Sequence, residues 1–220
     1  MNVGSRAIAL LVSSAALAGC VSTATIPVSQ KTATDMRGQP VAPVARKTPD
    51  FAAMTPGKAM FGLIGAGLMI SEGNKIVADN KVADPAANIA TELSSMLAQK
   101  HGASSSAASV TVDSDDVAKI AQSAPGARFI VDVQTVNWSL LYFPTNWARY
   151  RVLYTAKARI VDTQAKSVVA ESFCKHIPED ASQAPSYDDL LANEGALLKT
   201  HLAQGAKSCL DQLKAALAPA

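Results

Sequence analysis

The sequence predicts an α+β domain: a mostly antiparallel sheet of about four strands, helices packed on one face, and a long C-terminal helix. Three observations predict this class. Segments with the two-residue period of half-buried strands follow one another between residues 129 and 176. Segments with the helical period precede and follow them. Apolar residues make up 49% of the 220-residue chain, which is enough to bury the core of one domain of ordinary size.

The first 19 residues have the form of a secretory signal peptide. Arg6 supplies a positive charge, and the apolar stretch 7–17 is too short to span a bilayer. Residues 17–20 (LAGC) then place small side chains directly before a cysteine. This motif resembles the lipobox of bacterial lipoproteins, in which the cysteine thiol is acylated and becomes the first residue of the mature chain. The alternative is an ordinary signal peptide with an incidental cysteine.

The lipobox resemblance implies that Cys20 anchors the protein in a lipid membrane. Lipoproteins of this kind carry several acyl chains, and one chain alone would bind only marginally. In the sorting rule of enteric bacteria, an Asp directly after the cysteine retains the protein in the inner membrane. Val21 stands there instead, so the resemblance implies the outer membrane, with the protein facing the periplasm.

Residues 20–57 are predicted to be a flexible tether, and residues 58–220 a single α+β periplasmic domain. The tether is rich in Ser, Thr, Gln and Lys and has no lasting apolar period. Its prolines are Pro27, Pro40, Pro43, Pro49 and Pro56.

The run 59–70 (AMFGLIGAGLMI) is wholly apolar and contains three glycines. It is too short to cross a membrane, and it lacks the glycine and lysine spacing of phosphate-binding loops. Two interpretations remain: a close-packed buried segment, or a surface that docks on lipid or on another envelope protein.

Two helices and a short strand are predicted before residue 129. Asp84 caps the first helix with Pro85 in its first turn, and the sequence 101–102 (HG) ends it. A short strand follows at 110–112. The segment 113–116 (DSDD) then opens a second helix, which stops at 125–126 (PG).

Three strands follow, at 129–133, 149–161 and 167–176. In the second strand, even-numbered residues are apolar and form the inner face, while basic residues alternate with them on a solvated outer face. If the last two strands pair so that residue numbers sum to 328, Glu171 lies opposite Lys157 on the outer face.

The last helix is predicted from about Tyr187 to Leu217, with one apolar stripe that includes Cys209. Cys174 lies on the sheet face that receives this helix, so two independent periodicities bring the two cysteines together. In an oxidising periplasm we expect a Cys174–Cys209 disulfide, worth about 3–4 kcal/mol in the chain-entropy model. Two free buried thiols are the alternative.

Six of the eleven aromatic residues lie within 138–154, around a predicted loop at 140–148. Aromatic and arginine side chains contribute strongly to binding energy at interfaces. The sequence therefore offers a partner-binding surface, although a hydrophobic cap on the sheet would have the same composition. The candidate contact residues are Trp138, Tyr142, Phe143, Trp147, Arg149 and Arg151.

Other functions find no support in the sequence. A net charge of +2, with no cluster of Lys and Arg, predicts no nucleic-acid binding. The three histidines are scattered, so no metal site is expected, and no nucleophile elbow or other catalytic motif occurs. We therefore expect neither a cofactor nor an enzymatic activity.

The order of elements over residues 84–217 resembles the small domains of envelope lipoproteins: the TolB N-terminal domain, CsgG and transport-auxiliary lipoproteins. The resemblance implies a non-enzymatic component of a secretion, transport or outer-membrane maintenance complex that binds an envelope protein. Self-association is a further expectation. The alternatives are a carrier of lipid or glycan and, with no candidate nucleophile and base, a periplasmic hydrolase.

Overall fold

The fold is a mixed seven-stranded sheet with helices on both faces, seen in a computed structural model that describes residues 25–60, 62–106 and 111–218. The helices are α1 (Gln30–Asp35), α2 (Pro56–Ala59), α3 (Gly62–Asp79), α4 (Ala86–His101), α5 (Val117–Ser123) and α6 (Tyr187–Ala216). The strands are β1 (Pro40–Arg46), β2 (Ala52–Met54), β3 (Ser104–Ser105), β4 (Thr111–Val112), β5 (Phe129–Phe143), β6 (Asn146–Asp162) and β7 (Ser167–His176). Cys20 and the rest of the lipobox lie outside the described residues.

The long strands β5, β6 and β7 pair antiparallel, as predicted. The strands β1 and β2 both pair with β5 in parallel, and the two-residue strands β3 and β4 pair with β1. The predicted count of about four strands is therefore too low. The additional strands are short, and a strand of two or three residues carries too little periodicity to be read from a sequence.

The predicted tether at 20–57 is corrected by the structure from residue 25 onward. This range contributes α1, β1 and β2, and Val41, Phe51 and Ala53 are fully buried. Its prolines are compatible with a strand because of how β1 is paired. Among the described residues, one side of β1 pairs with β3 at 40–41 and with β4 at 45–46, and Pro43 stands between these two pairings.

The β6–β7 register differs from the predicted one by two residues. Arg159, not Lys157, lies opposite Glu171, although Lys157 still reaches Glu171 diagonally at 3.0 Å. An irregularity follows Ile160, where β7 holds one extra residue, Val169, between Val168 and Ala170. Because a two-residue shift preserves the alternation, Cys174 still faces inward, but Val168 lies on the opposite face.

The sheet is covered on both faces, which corrects the prediction of helices on one face only. The larger face carries α4 and α6 over the main core. On the other face, Ile120 of the short α5 packs in a small cluster with Ile130 and Val161. The sequence favoured the larger face because long helices repeat their pattern over several turns.

The long C-terminal helix is confirmed, with a break near its start. Residues 192–195 are non-helical, and Asn193, Glu194 and Gly195 all adopt left-handed φ values. Gly195 also lies close to the turn that follows α3, because a Cβ at this position would lie 3.1 Å from the Cβ of Asn80 and that side chain would have to shift. The break therefore brings the start of α6 close to this turn.

Candidate functional site

The predicted disulfide is present and joins Cys174 of β7 to Cys209 of α6. Both cysteines are buried in the main core. The bridge fastens the middle of the long helix to an outer strand of the sheet, so it supports the scaffold from which surface groups project.

The predicted aromatic loop at 140–148 is a tight β5–β6 hairpin with only residues 144–145 outside the strands. Trp147 stands just after this turn with 63% of its surface exposed. Its ring meets Tyr142 edge-on at 6.4 Å between centroids, and its indole N–H donates to the Pro144 carbonyl at 3.2 Å. The indole is therefore held in place while its face remains open.

Two of the predicted contact residues are not available to a partner, which corrects that part of the prediction. Trp138 is 1% exposed, its indole N–H donates to the carbonyls of Pro49 and Asp50, and its ring meets Phe51 edge-on at 5.1 Å. Phe143 is also buried. These aromatics belong to the core, where β2 and the segment before it cover β5.

The two predicted contact arginines bind a loop of their own chain. Arg149 donates to the Ala184 carbonyl at 2.9 Å, and Arg151 donates to the Pro178 carbonyl at 3.0 Å. The guanidinium of Arg151 also lies 4.9 Å from the centre of the Phe143 ring. Both arginines thus hold the connection between β7 and α6.

The glycine-rich run 59–70 covers the end of α2 and the first half of α3, and it exposes apolar side chains. Met60 is 82% exposed, Ile64 75% and Leu68 50%. Ile64 and Leu68 are four residues apart on one face of α3, and Met60 caps the end of α2 just before that helix. The run is therefore not a wholly buried segment, because it exposes large apolar side chains to solvent.

The second half of α3 is fixed to the rest of the domain. Gly73 approaches β2 so closely that a Cβ would lie 1.9 Å from the Phe51 carbonyl oxygen. Glu72 forms an ion pair with Lys58 and accepts a hydrogen bond from the Tyr187 hydroxyl at 2.6 Å. The hydrogen bond from Lys58, followed by that from Tyr187, lowers the pKa of the Glu72 carboxyl.

The exposed stripe of α3 and Trp147 lie at the same end of the sheet. Gly73 marks the level of Phe51, beside Ala52 and its partner Ser139. The strand β2 runs parallel to β5, and Met54 pairs with Leu141, two residues before β5 ends at Phe143. The chain therefore leaves β2 toward the hairpin, and Met60 and the start of α3 follow within ten residues. We call Met60, Ile64, Leu68 and Trp147 the hairpin-end surface.

An ion cluster on the α5 face was missed by sequence reasoning, which placed Arg159 on a solvated face. The carboxylate of Asp132 is buried and accepts from Arg46 at 2.6 and 2.7 Å and from Arg159 at 2.7 and 3.0 Å. The guanidinium of Arg159 also lies 3.4 Å from the exposed carboxylate of Asp115. All four groups are engaged with one another, so the cluster organises structure and offers no open position for a ligand.

A second buried polar network lies where α4 meets the sheet. Asp84 Oδ1 accepts from the Thr135 hydroxyl at 2.5 Å and from the Ala86 N–H at 3.1 Å. The Thr135 hydroxyl is in turn 3.0 Å from the Tyr154 hydroxyl. Burial raises the pKa of Asp84, and the hydrogen bonds from Thr135 and Ala86 act against that rise.

Neither a membrane-spanning helix nor a group of metal ligands occurs in the described part of the chain. Within residues 25–60, 62–106 and 111–218, no helix is long and apolar enough to cross a membrane. Over the same ranges, no three or more His, Cys, Asp or Glu side chains are grouped to hold a metal ion.

Comparison with known proteins yields distant structural neighbours. No protein-family model and no curated protein sequence matches this chain. The PelC dodecamer from Paraburkholderia phytofirmans is 14% identical, with a TM-score of 0.39 over 83% of this chain and 90% of that chain. A putative neuraminyllactose-binding hemagglutinin homolog from Helicobacter pylori is 12% identical, with a TM-score of 0.35 over 83% and 84%. Lipoprotein GNA1162 from Neisseria meningitidis is 12% identical, with a TM-score of 0.29 over 76% and 96%. The neighbours thus include a bacterial lipoprotein, and we base no functional argument on likenesses of this size.

Proposed function

We propose that this protein is a non-enzymatic binding component of a bacterial cell-envelope assembly, anchored in the outer membrane through acylated Cys20 and facing the periplasm. The lipobox motif at 17–20 supports the anchor. The Cys174–Cys209 disulfide suits an oxidising compartment such as the periplasm. The contact with an envelope protein is made by the hairpin-end surface.

The hairpin-end surface is the observation that carries this proposal. Large apolar side chains scattered singly on a surface are ordinary, but a contiguous stripe in water marks a contact. Ile64 and Leu68 form such a stripe on one face of α3, with exposed Met60 just before the helix, at the end of the sheet that also exposes Trp147. Tryptophan is among the residues that contribute most at protein interfaces.

The position of the N-terminal segment favours a protein partner over the anchoring membrane as the occupant of this surface. Ile26 pairs with Glu171, which lies beside Arg159 of β6. From that level to Asn146 at the hairpin is about 40 Å along the strand, at ~3.3 Å per residue. The six residues from Cys20 to Ile26 reach at most about 20 Å. The anchor therefore attaches about 20 Å or more from the hairpin-end surface, toward the other end of the sheet, which lets the domain stand with this surface turned away from the membrane.

Site-specific photocrosslinking of the full-length protein in intact cells tests the proposal. Benzoylphenylalanine is placed at Trp147 in one strain and at Ile64 in another, with Lys119 of α5 as the matched exposed control position. We expect both hairpin-end positions to label the same envelope protein, and Lys119 not to label it. Labelling from Lys119 alone, or no adduct from either hairpin-end position, contradicts the proposal. Adducts only between copies of this chain would replace the envelope partner by self-association.

A double substitution tests whether the stripe itself supplies the contact. Ile64→Ser with Leu68→Ser should reduce the Trp147 crosslink about tenfold or more, which corresponds to ~1.4 kcal/mol of lost binding. The free energy of unfolding should stay within about 0.5 kcal/mol, because both side chains are exposed. Ile177→Ser, at an exposed isoleucine outside this surface, should leave the crosslink unchanged.

A further inference from the structure

A second surface feature lies on the large face of the sheet, in a groove between the start of α4 and the middle of α6. It has a volume of about 440 Å³, within the range of about 300–1,000 Å³ that holds small ligands. Its apolar lining includes Val82, Ile89, Leu202, Ala206 and Leu210. None of its lining residues belongs to the hairpin-end surface.

The groove carries three lysines against two carboxylates, and the carboxylates are engaged elsewhere. Asp84 turns inward to the Thr135 hydroxyl, and Glu92 lies 3.9 Å from Lys214 of α6. The positive charge of the lysines along the groove is therefore less fully neutralised than the negative charge of the two carboxylates.

Two of the three lysines are available to a ligand. Lys207 is held by Asp211 one helical turn along α6, at 2.8 Å. The side-chain ammonium groups of Lys81 and Lys199 have neither a hydrogen-bond nor an ion-pair partner among the described residues. The groove thus combines an apolar lining with two free ammonium groups.

The turn that carries Lys81 is held firmly in place. Lys81 adopts a left-handed φ of 52°, and the preceding Asn80 donates its side-chain N–H to the Ile76 carbonyl at 2.9 Å. Asn80 also packs against Gly195 at the break in α6. The turn and the helix are consequently close-packed beside the groove, which both Lys81 and Lys199 line.

We propose that this groove binds a single-chain amphiphile with an anionic head group. The alkyl chain lies along the apolar lining, and the head group lies at the ammonium groups of Lys81 and Lys199. The charge complementarity argues for a carboxylate or phosphate head, and the apolar lining argues for a chain rather than a sugar, whose hydroxyls would lose their hydrogen bonds there. This site goes beyond the proposed function and does not depend on it.

A photoreactive fatty acid tests the proposal on the acylated protein in lipid nanodiscs. The probe is palmitic acid with a diazirine in its chain, and mass spectrometry maps the labelled peptides. We expect labelling of the segments 82–89 and 202–210 that unlabelled palmitate displaces. Because mapping reports the position of each adduct, probe dissolved in the bilayer does not imitate binding in the groove.

Variants separate the chain contact from the head-group contact. Ala206→Phe fills the groove and should reduce its labelling about tenfold or more, while Gln204→Phe on the exposed side of α6 should not. Lys81→Glu with Lys199→Glu should weaken labelling by a similar factor, and Lys119→Glu on the opposite face should leave it unchanged. None of these variants should alter the Trp147 crosslink, so failure here is distinguishable from failure of the proposed function.

The matched probe with a neutral head is the decisive comparison. A diazirine-bearing palmityl alcohol should label the groove about tenfold less than the acid. Equal labelling by the acid and the alcohol would show that the groove does not select an anionic head group. Labelling that Ala206→Phe does not reduce, or that is no greater at 82–89 and 202–210 than on α5, would overturn the site.

Discussion

The two faces of the sheet are stabilised in different ways. On the α4/α6 face, two long helices bury a continuous apolar core, and a disulfide crosses from α6 to β7. On the other face, the seven-residue α5 covers only a small apolar cluster around Ile120. Beside that cluster on the same face lie the ion pairs of Arg46, Asp132 and Arg159.

The difference shows how a short helix can be held on a sheet with little apolar area. Arg46 donates to the Ser114 carbonyl at 2.7 Å, and Arg159 donates to the Asp115 carbonyl at 3.3 Å. The next residue, Asp116, caps α5 by accepting from the N–H groups at its start. The ion cluster therefore positions the loop that begins α5. On the other face, apolar packing positions the helices α4 and α6.

The largest expected effect comes from removing the centre of the ion cluster. Asp132→Ala leaves two guanidinium groups buried without their carboxylate, and breaking a buried ion pair in this way costs about 3–5 kcal/mol. We expect a loss of that size in the free energy of unfolding, measured by urea denaturation. A loss below about 1 kcal/mol would mean that the arginines reach water when Asp132 is absent.

A matched variant separates the charge from the packing. Arg46→Met, Asp132→Leu and Arg159→Met together replace the cluster by apolar groups of similar size. Such replacements are often neutral or stabilising. We expect the triple variant to be far more stable than Asp132→Ala but less ordered at residues 113–116, as measured by amide hydrogen exchange.

The second prediction concerns the disulfide of the larger face. Cys174→Ala with Cys209→Ala should lower the free energy of unfolding by about 3–4 kcal/mol, because the bridge no longer restricts the unfolded chain. A reductant should destabilise the native protein by a similar amount and leave the double variant unchanged. Equal stability of the two proteins under oxidising conditions would show that apolar packing alone fixes α6.

The larger face was predictable from the sequence because its elements are long. The alternation over 149–161 and the helical stripe through Cys209 each extend over several repeats. Together they predicted both the inner face of β6 and the disulfide. The register was missed by one residue at the turn, where Asp162 pairs with Ser167, and by a second residue at the irregularity after Ile160, and alternation alone reveals neither.

The smaller face and the N-terminal strands were not predictable in the same way. The strand β1 contains two prolines, and its burial depends on parallel pairing with β5, far along the chain. Arg46 and Asp132 are 86 residues apart, so their ion pair leaves no local pattern.

The candidate site was predicted in part, since composition reports aromatic residues but not their exposure. Trp138 and Trp147 lie in the same aromatic cluster of the sequence, yet one is buried and the other is open. The segment that covers Trp138 is the one predicted to be a tether, so the error in the site follows from the error in the fold.

The smallest expected effect concerns the polar network under α4. Asp84→Asn preserves the shape of the side chain, and an amide oxygen can accept both bonds that Oδ1 now accepts, from Thr135 and Ala86. Burial raises the pKa of Asp84 in the folded protein, so the ionised form is disfavoured there. We expect the variant to be more stable than the native protein at pH 7, by about 1 kcal/mol or less.

The pH dependence gives this prediction its sign. A raised folded-state pKa contributes stability below the unfolded pKa, near 3.8, and that contribution is lost as the pH rises through the folded value. The advantage of Asp84→Asn should therefore shrink as the pH falls towards 3.8.

Asp162 is the matched comparison. Burial acts to raise the pKa of Asp162, but the hydrogen bond from Arg128 and other favourable contacts outweigh it, so the pKa is lowered. Asp162→Asn should accordingly destabilise the protein at pH 7. If Asp84→Asn also destabilises at pH 7, the ionised carboxylate at the start of α4 gains more from the helix dipole than burial costs it.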